Sequence, residues 1–275
     1  MELVQELWDG TNLRTTYGIA LICGGYKELL CLPDGNDPLV NRWYERDGAE
    51  VLFTTPRLKP LKSVSLPFVA FGGEEKISAF RASLSLRQWH TLASPLIPGG
   101  SVRLGAVEGT QFTHRGAHFI EFTLKCKAFV PPIEDAKPQT AEPISDNPIA
   151  CRIDGTEIAY IGATLLDGSY ESLSAFPPYK ENPLAAPYRK QAAFTTQSDL
   201  KESRIKVLLR ASSPEALLAN RHELLRLVAR GVLTIDIAGR TFHAFYRSAS
   251  VDDYEFDRTL APKPYIRYTL ILYVL

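Results

Sequence analysis

Two stretches decide the fold: HFIEFTLKCKAF at residues 118–129 and PYIRYTLILYVL at residues 264–275. Ile120, Thr123 and Leu124 recur as Ile266, Thr269 and Leu270, and Phe119 and Phe122 become Tyr265 and Tyr268. In the first stretch Ile120, Phe122, Leu124, Cys126 and Ala128 share one face. Glu121, Thr123, Lys125 and Lys127 share the other, so this is a strand with one wet side. In the second stretch Ile266, Tyr268, Leu270, Leu272 and Val274 point inward. Its outer face carries Arg267 and Thr269, then Ile271, Tyr273 and Leu275. Apolar residues on both faces imply a cover, either the sister copy or a neighbouring subunit, and these last three are the candidate subunit interface.

The copies lie about 145 residues apart, far longer than a solenoid repeat, so the repeated unit is a domain. Other landmarks keep the same order. Trp8-Asp9-Gly10-Thr11 answers Ile153-Asp154-Gly155-Thr156; Gly18, Gly24 and Tyr26 answer Gly162, Gly168 and Tyr170; Pro38-Leu39 answers Pro183-Leu184. Between the copies runs a polar segment holding Pro131, Pro132, Pro138, Pro143 and Pro148. Proline removes backbone donors and biases its predecessor towards extended geometry, so this reads as a semi-rigid linker. The organisation expected is a domain at 1–130, a linker at 131–148 and a second domain at 149–275.

Each copy predicts strands with a helix among them. In the first, an apolar β-rich run at 63–71 stops at Gly72-Gly73. Glu74-Glu75 then open a helix, where acidic residues suit the positive end of the dipole. Ile77, Phe80 and Leu84 recur at helical spacing. A strand near 102–107, a loop at 109–116 and the closing strand follow. In the second, the apolar run is 205–209, and Ser213-Pro214-Glu215 begin a helix with a serine cap and proline in the first turn. Leu217, Leu218, Leu224, Leu225 and Val228 form its buried stripe, and Gly231 its left-handed C-terminal cap. Strands at 232–237 and 241–246 join through Ala238-Gly239-Arg240. The fold class expected is α+β, mainly β: two similar β-sandwich or split-barrel domains, each with one packed helix.

The 275 residues are 45% hydrophobic, with 31 Lys+Arg against 31 Asp+Glu, so a core is available and the net charge is zero. A neutral chain argues against gripping nucleic acid by phosphate neutralisation. The N-terminus MELVQELWDG lacks the basic and apolar regions of a signal peptide, and no apolar run reaches bilayer length. Cys23, Cys31, Cys126 and Cys151 show no CxxC spacing, and Cys126 falls among inward positions of its strand. A soluble protein made in a reducing cytoplasm is expected.

Catalytic motifs are missing. His114 and His118, four apart on extended chain, would stand about 13 Å from each other, too far to share a metal. HExxH, GxSxG and GxxxxGK[ST] do not occur. Asp34-Gly35-Asn36-Asp37 starts like a calcium loop, but Pro38 and Leu39 stand where an oxygen ligand and the turn glycine belong, so a plain turn is expected. The acidic run at 252–257 reads as an exposed loop. Trp8, Trp43 and Trp89 offer the alternative of a carbohydrate-binding β-sandwich that stacks sugars on aromatic rings, although burial is their default. No catalytic, cofactor-binding or metal-binding residue is assigned, and the chain is read as no enzyme.

Three motifs carry a family resemblance. DGTNLRTTYGIALICGGY opens the chain at Asp9, YERDGAEV retains Arg46, Asp47 and Gly48, and FIEFTLKCKAF carries Lys125-Cys126 with Ala128 where a proline is usual. Across residues 1–130 their order and spacing resemble the distal tail proteins of long-tailed bacteriophages and prophages. The second copy lacks Arg-Asp-Gly and has Arg189-Lys190-Gln191 instead. A tandem of ring-type domains also resembles tail hub proteins, in which three chains imitate a sixfold ring. The resemblance implies a structural part of the virion tail tip or baseplate, made in the bacterial cytoplasm, with Arg46, Asp47 and Gly48 shaping a family loop. It implies self-association into a trimeric or hexameric ring. Further partners would be tube, tape-measure, hub and receptor-binding proteins, with no membrane and with DNA only passing through the lumen.

Overall fold

The computed structural model describes residues 5–42, 49–53, 57–71, 73–85, 88–115, 119–133, 138–144, 149–175, 179–183, 194–198, 200–257 and 263–275. The family-like loop residues Arg46, Asp47 and Gly48, together with Trp43 and His118, lie outside them.

The N-terminal half runs β1 (Leu7–Trp8), β2 (Thr11–Asn12), α1 (Leu13–Tyr17), β3 (Ile19–Leu21), α2 (Cys23–Leu30), β4 (Leu39–Arg42), β5 (Ala49–Leu52), β6 (Leu61–Ala70), α3 (Gly73–Ser85), β7 (Trp89–Ala93), β8 (Ser101–Arg115) and β9 (Phe119–Phe129). The C-terminal half runs β10 (Cys151–Ile153), β11 (Thr156–Glu157), β12 (Ala163–Leu165), α4 (Ser169–Ser174), β13 (Tyr179–Pro183), β14 (Phe194–Ser198), β15 (Lys201–Arg210), α5 (Pro214–Val228), β16 (Val232–Ile237), β17 (Arg240–Glu255) and β18 (Tyr265–Val274). The protein is α+β and mainly β, as its alternation implied. It is built on two seven-stranded antiparallel sheets, ordered β2-β1-β7-β8-β9-β6-β3 and β11-β10-β16-β17-β18-β15-β12. Each strand of one order has its counterpart at the same place in the other. Each half also carries a two-stranded hairpin, β4–β5 and β13–β14.

Chain connectivity forces both sheets to curl. Laid flat, seven strands span about 29 Å from edge to edge. Yet the edge strands β2 and β3 are joined by only the five-residue α1 and Gly18, which advance about 10 Å. In the C-terminal half a 3-10 turn at Ile158–Ile161 and Gly162 make the same short bridge between β11 and β12. Gly18 and Gly162 both cap these turns in the left-handed conformation.

The same hydrogen bonds recur in both halves. Asp9-Gly10 and Asp154-Gly155 form two-residue turns with positive φ at both positions, the geometry that Asp-Gly favours in a hairpin. Each aspartate then clasps a distant strand: Asp9 exchanges amide and carboxylate bonds with Thr91, and Asp154 with Thr234, all at 2.8 Å. The Ile22 amide donates to the Pro67 carbonyl as Leu166 does to Lys206, both at 2.9 Å. Lys62 on β6 donates to the Glu28 carbonyl at the end of α2. Lys201, at the matching place on β15, donates to the Leu173 carbonyl at the end of α4.

Several expectations are corrected. The loop placed at 109–116 is strand as far as Arg115, where β8 ends, with Gly116 outside the described residues, and the glycines mark a register shift between Gly105 and Gly109. Glycine inside a strand pattern signals a bulge as readily as an end. The acidic run at 252–257 is β17 as far as Glu255, because the ladder with β18 covers its backbone and Thr269 and Tyr265 donate to Asp252 and Asp253. Ser213 caps helix α5, its hydroxyl accepting from the Ala216 amide, but Ala229 is the C-cap and Gly231, at φ 108°, turns the chain afterwards. Shorter helices accompany α3 and α5, so each half has more than one. The hairpin turn before β17 is Ala238-Gly239 alone, with Arg240 already in the strand.

Segment 138–144 is pinned to the C-terminal half. Asn220, fully buried on α5, accepts from the Glu142 amide and donates to the carbonyls of Glu142 and Arg210. The Glu142 carboxylate accepts from the amide and hydroxyl of Ser212.

Candidate interaction surfaces

The last carbonyls of a helix lack intrahelical partners. At the end of α2 those partners come from the other half of the chain. Arg221 of α5 donates from Nε to the Leu30 carbonyl at 2.7 Å and from Nη2 to the Cys31 carbonyl at 3.0 Å. Tyr268 of β18 adds its hydroxyl to Leu30 at 2.9 Å. A cation is favourable against the negative end of a helix, all the more when desolvated, and Arg221 is 6% exposed. Burial pushes the Tyr246 and Tyr268 hydroxyls well above their ordinary range, so both stay protonated donors. Tyr246 donates to the Pro33 carbonyl, the Gly35 amide donates to the Arg247 carbonyl, and Arg247 pairs with Asp37. Gly35 approaches so closely that a Cβ there would stand 2.6 Å from the Tyr246 carbonyl oxygen. Buried side chains from both halves accordingly form one continuous core.

The candidate interface on β18 is partly covered by this arrangement. Its core face is as expected, with Ile266, Tyr268, Leu270 and Leu272 buried. On the outer face Ile271 and Tyr273 are half-buried. Tyr273 packs on Phe245 at 5.4 Å, and Phe245 packs at 5.4 Å on Phe53 from the N-terminal half. Leu275 is 47% exposed.

An outer patch is repeated. Leu104–Ala128 and Ala244–Val274 are corresponding pairs in the two ladders, so Phe129 and Leu275 occupy equivalent positions, and Trp89 and Val232 open equivalent strands. Phe129, Leu61, Val232 and Leu275 are all large exposed apolar residues. In the N-terminal half Trp89 lies on Gly105, where a Cβ would come within 2.5 Å of the indole. The Arg103 guanidinium sits over Trp89 at 5.3 Å and over Phe129 at 5.9 Å. Trp8, by contrast, is core: it stacks on buried His90, whose ring nitrogens face Asp9 and the Leu84 carbonyl. Of this patch sequence reasoning found only Leu275; it missed Phe129, Leu61 and Val232 because each reads alone as an ordinary surface apolar side chain.

Near β1, Glu6 accepts the Tyr26 hydroxyl at 2.6 Å and the Leu21 amide at 2.9 Å. Burial raises its carboxyl above the ordinary value, with those two bonds and Arg14 pulling the other way. A cleft of about 730 Å³ opens between the end of α2, the start of β8, residues 131–133 and α5, with Ile97, Val102, Ile133 and Leu218 in its wall. Among the described residues no group of three metal-ligating side chains occurs and no helix is long and apolar enough to cross a membrane. Cys31, Cys126 and Cys151 are free thiols. No family model and no curated protein matches this sequence.

Proposed function

We propose that this chain is a non-catalytic structural component of a bacteriophage or prophage tail tip. Its subunits close into a ring that continues the tail tube towards the host-recognition apparatus, and DNA passes through the lumen. The observation that supports this most directly is the exposed apolar pair Phe129 and Leu275 at equivalent positions of two sheets of one strand order, with Leu61 also exposed on the first sheet and Val232 on the second. A ring is built from heterologous contacts repeated around an axis, so a module serving it carries the same sticky surface each time it occurs. Large apolar residues left in water at equivalent positions are what such a surface requires.

The partners of the reading are sibling chains and the tube, tape-measure, hub and receptor-binding proteins of the same tail. The residues expected at the subunit contact are Leu275, with Ile271 and Tyr273 behind it. Light scattering and negative-stain microscopy of concentrated protein test the reading. Closed rings of three or six chains are the expected result, and a strict monomer at every concentration overturns it. The sugar-platform alternative draws nothing from Trp8, which is buried.

A further inference from the structure

We infer that the cleft between the two halves binds a small amphipathic acid of the fatty-acid class, with its carboxylate on Lys62 and its hydrocarbon against α5. Such a site goes beyond the ring reading and does not depend on it.

The cleft exists only because the halves dock. Leu29, Val64 and Ile97 enter its wall from the N-terminal half, Leu218 and Leu225 from α5, and Ile133 from the segment between them. Its volume of about 730 Å³ is of the size that takes a small molecule, and a mainly apolar wall with few polar groups is what such sites present. Pro131 and Pro132 also stand in the wall, where their fixed φ holds one shape before anything binds. A wall formed in advance lowers the ordering cost of binding.

The group that selects the ligand is Lys62. It stands on the inward side of β6, in line with buried Val64 and Leu66, and lines the cleft half-buried. Its ammonium carries three donors but makes one bond, to the Glu28 carbonyl at 2.9 Å. Two glutamates share the wall, Glu28 and the exposed Glu215, and among the described residues neither carboxylate pairs with it. A cation at a core-facing position is as a rule paired or sealed. The C-terminal half shows the sealed form: Lys201, at the matching place on β15, makes the same bond to the Leu173 carbonyl and is 7% exposed. At Lys62 that arrangement is left open to the cleft, with donors remaining for an incoming carboxylate. Arg221, the other cation of the wall, is committed to the Leu30 and Cys31 carbonyls. A hydrocarbon bearing one acid group fits both features, since burial of the chain supplies affinity and the carboxylate fixes its direction.

Calorimetric titration of the full chain with dodecanoate, its methyl ester and dodecyltrimethylammonium, each below its micelle concentration, is the test. Dodecanoate is expected to bind once per chain with a Kd on the order of micromolar, and the ester and the cation at least about tenfold more weakly. Lys62→Met keeps an apolar stem and removes the charge. It is expected to weaken dodecanoate at least about tenfold while leaving the ester unchanged, a split that a merely structural lysine does not produce. Ala219→Phe on α5 and Val102→Phe on β8 fill the cleft, and each is expected to abolish dodecanoate binding in protein that melting curves show to be folded. Absence of saturable dodecanoate binding overturns the site, as does equal binding of the three probes. Folded Lys62→Met protein that binds dodecanoate like wild type overturns it as well, and so does a folded cleft-filling variant that still binds.

Discussion

The Nε of Arg221 lies 2.7 Å from the Leu30 carbonyl, and that bond joins the two halves of the chain at the end of a helix. Leu30 also receives the Tyr268 hydroxyl, and Cys31 receives the second arm of the guanidinium. The C-terminal half thus completes the hydrogen bonding of α2, and the N-terminal half satisfies a buried cation.

Arg221→Ala strands the Cys31 carbonyl in the core and leaves a cavity, so unfolding free energy is expected to fall by about 2–3 kcal/mol. Tyr268→Phe removes one of two donors to Leu30, at a cost of about 1 kcal/mol. The double variant is expected to lose more than the sum, because both donors share one acceptor. Gly35→Ala drives a methyl into the Tyr246 carbonyl and is expected to cost about 1–3 kcal/mol. Urea unfolding of the four proteins measures these values. Additive behaviour in the double variant counts against the shared acceptor.

Asp9 and Asp154 make the same clasp, so their alanine variants are expected to fail in the same way. Asp154→Ala unpairs the Thr234 amide and is expected to cost about 1–2 kcal/mol. Asp9→Ala is expected to cost more, since Asp9 also holds buried His90. Gly155→Ala places a Cβ at φ 75°, for a loss of about 1–2 kcal/mol. Thermal melts of the three rank them, and a neutral Asp154→Ala breaks the equivalence.

Glu6 makes stability depend on pH with a definite sign. Its folded carboxyl binds protons more tightly than the unfolded one, so between those two values the native state holds the extra proton. Stability from this group is therefore full below the ordinary value of 4.5 and is lost as pH rises through the raised folded value. Other carboxylates also titrate, so the useful quantity is the difference between wild type and Glu6→Gln. That difference is expected to move against wild type as pH rises from 4 to 7 (a range set by carboxyl titration). Urea midpoints across the range give it, and a flat difference removes Glu6 as the cause.

Deleting 265–275 removes β18, which pairs with β17 on one side and β15 on the other. A central strand whose inner face is core cannot leave without exposing both neighbours, so soluble folded protein is not expected. Soluble truncated protein with a cooperative melt counts against that role.

Local geometry was legible in the residues. Asp9-Gly10 and Asp154-Gly155 stood out in the sequence only as landmarks of the repeat, and the structure shows them as two-residue turns, with positive φ at both residues. Ser213 and Pro214 announce the start of α5, and the period-two runs of β9 and β18 place their inward faces. Gly109 misled for the same local reason, since a glycine marks a bulge and a loop alike. Asn220 and Arg221 were invisible as buried residues, because polar side chains on a helix read as solvated until their acceptors are known.

By itself, then, the sequence determined that one strand pattern is written twice and where α5 begins, since period and capping are properties of neighbours along it. Only the tertiary structure decided that Phe53 lies against Phe245 behind Tyr273, that Arg221 ends α2, and that Phe129 and Leu275 stay in water at matching places. Those outcomes depend on which distant surface satisfies a carbonyl or covers an apolar face, and that is settled only when the two halves dock.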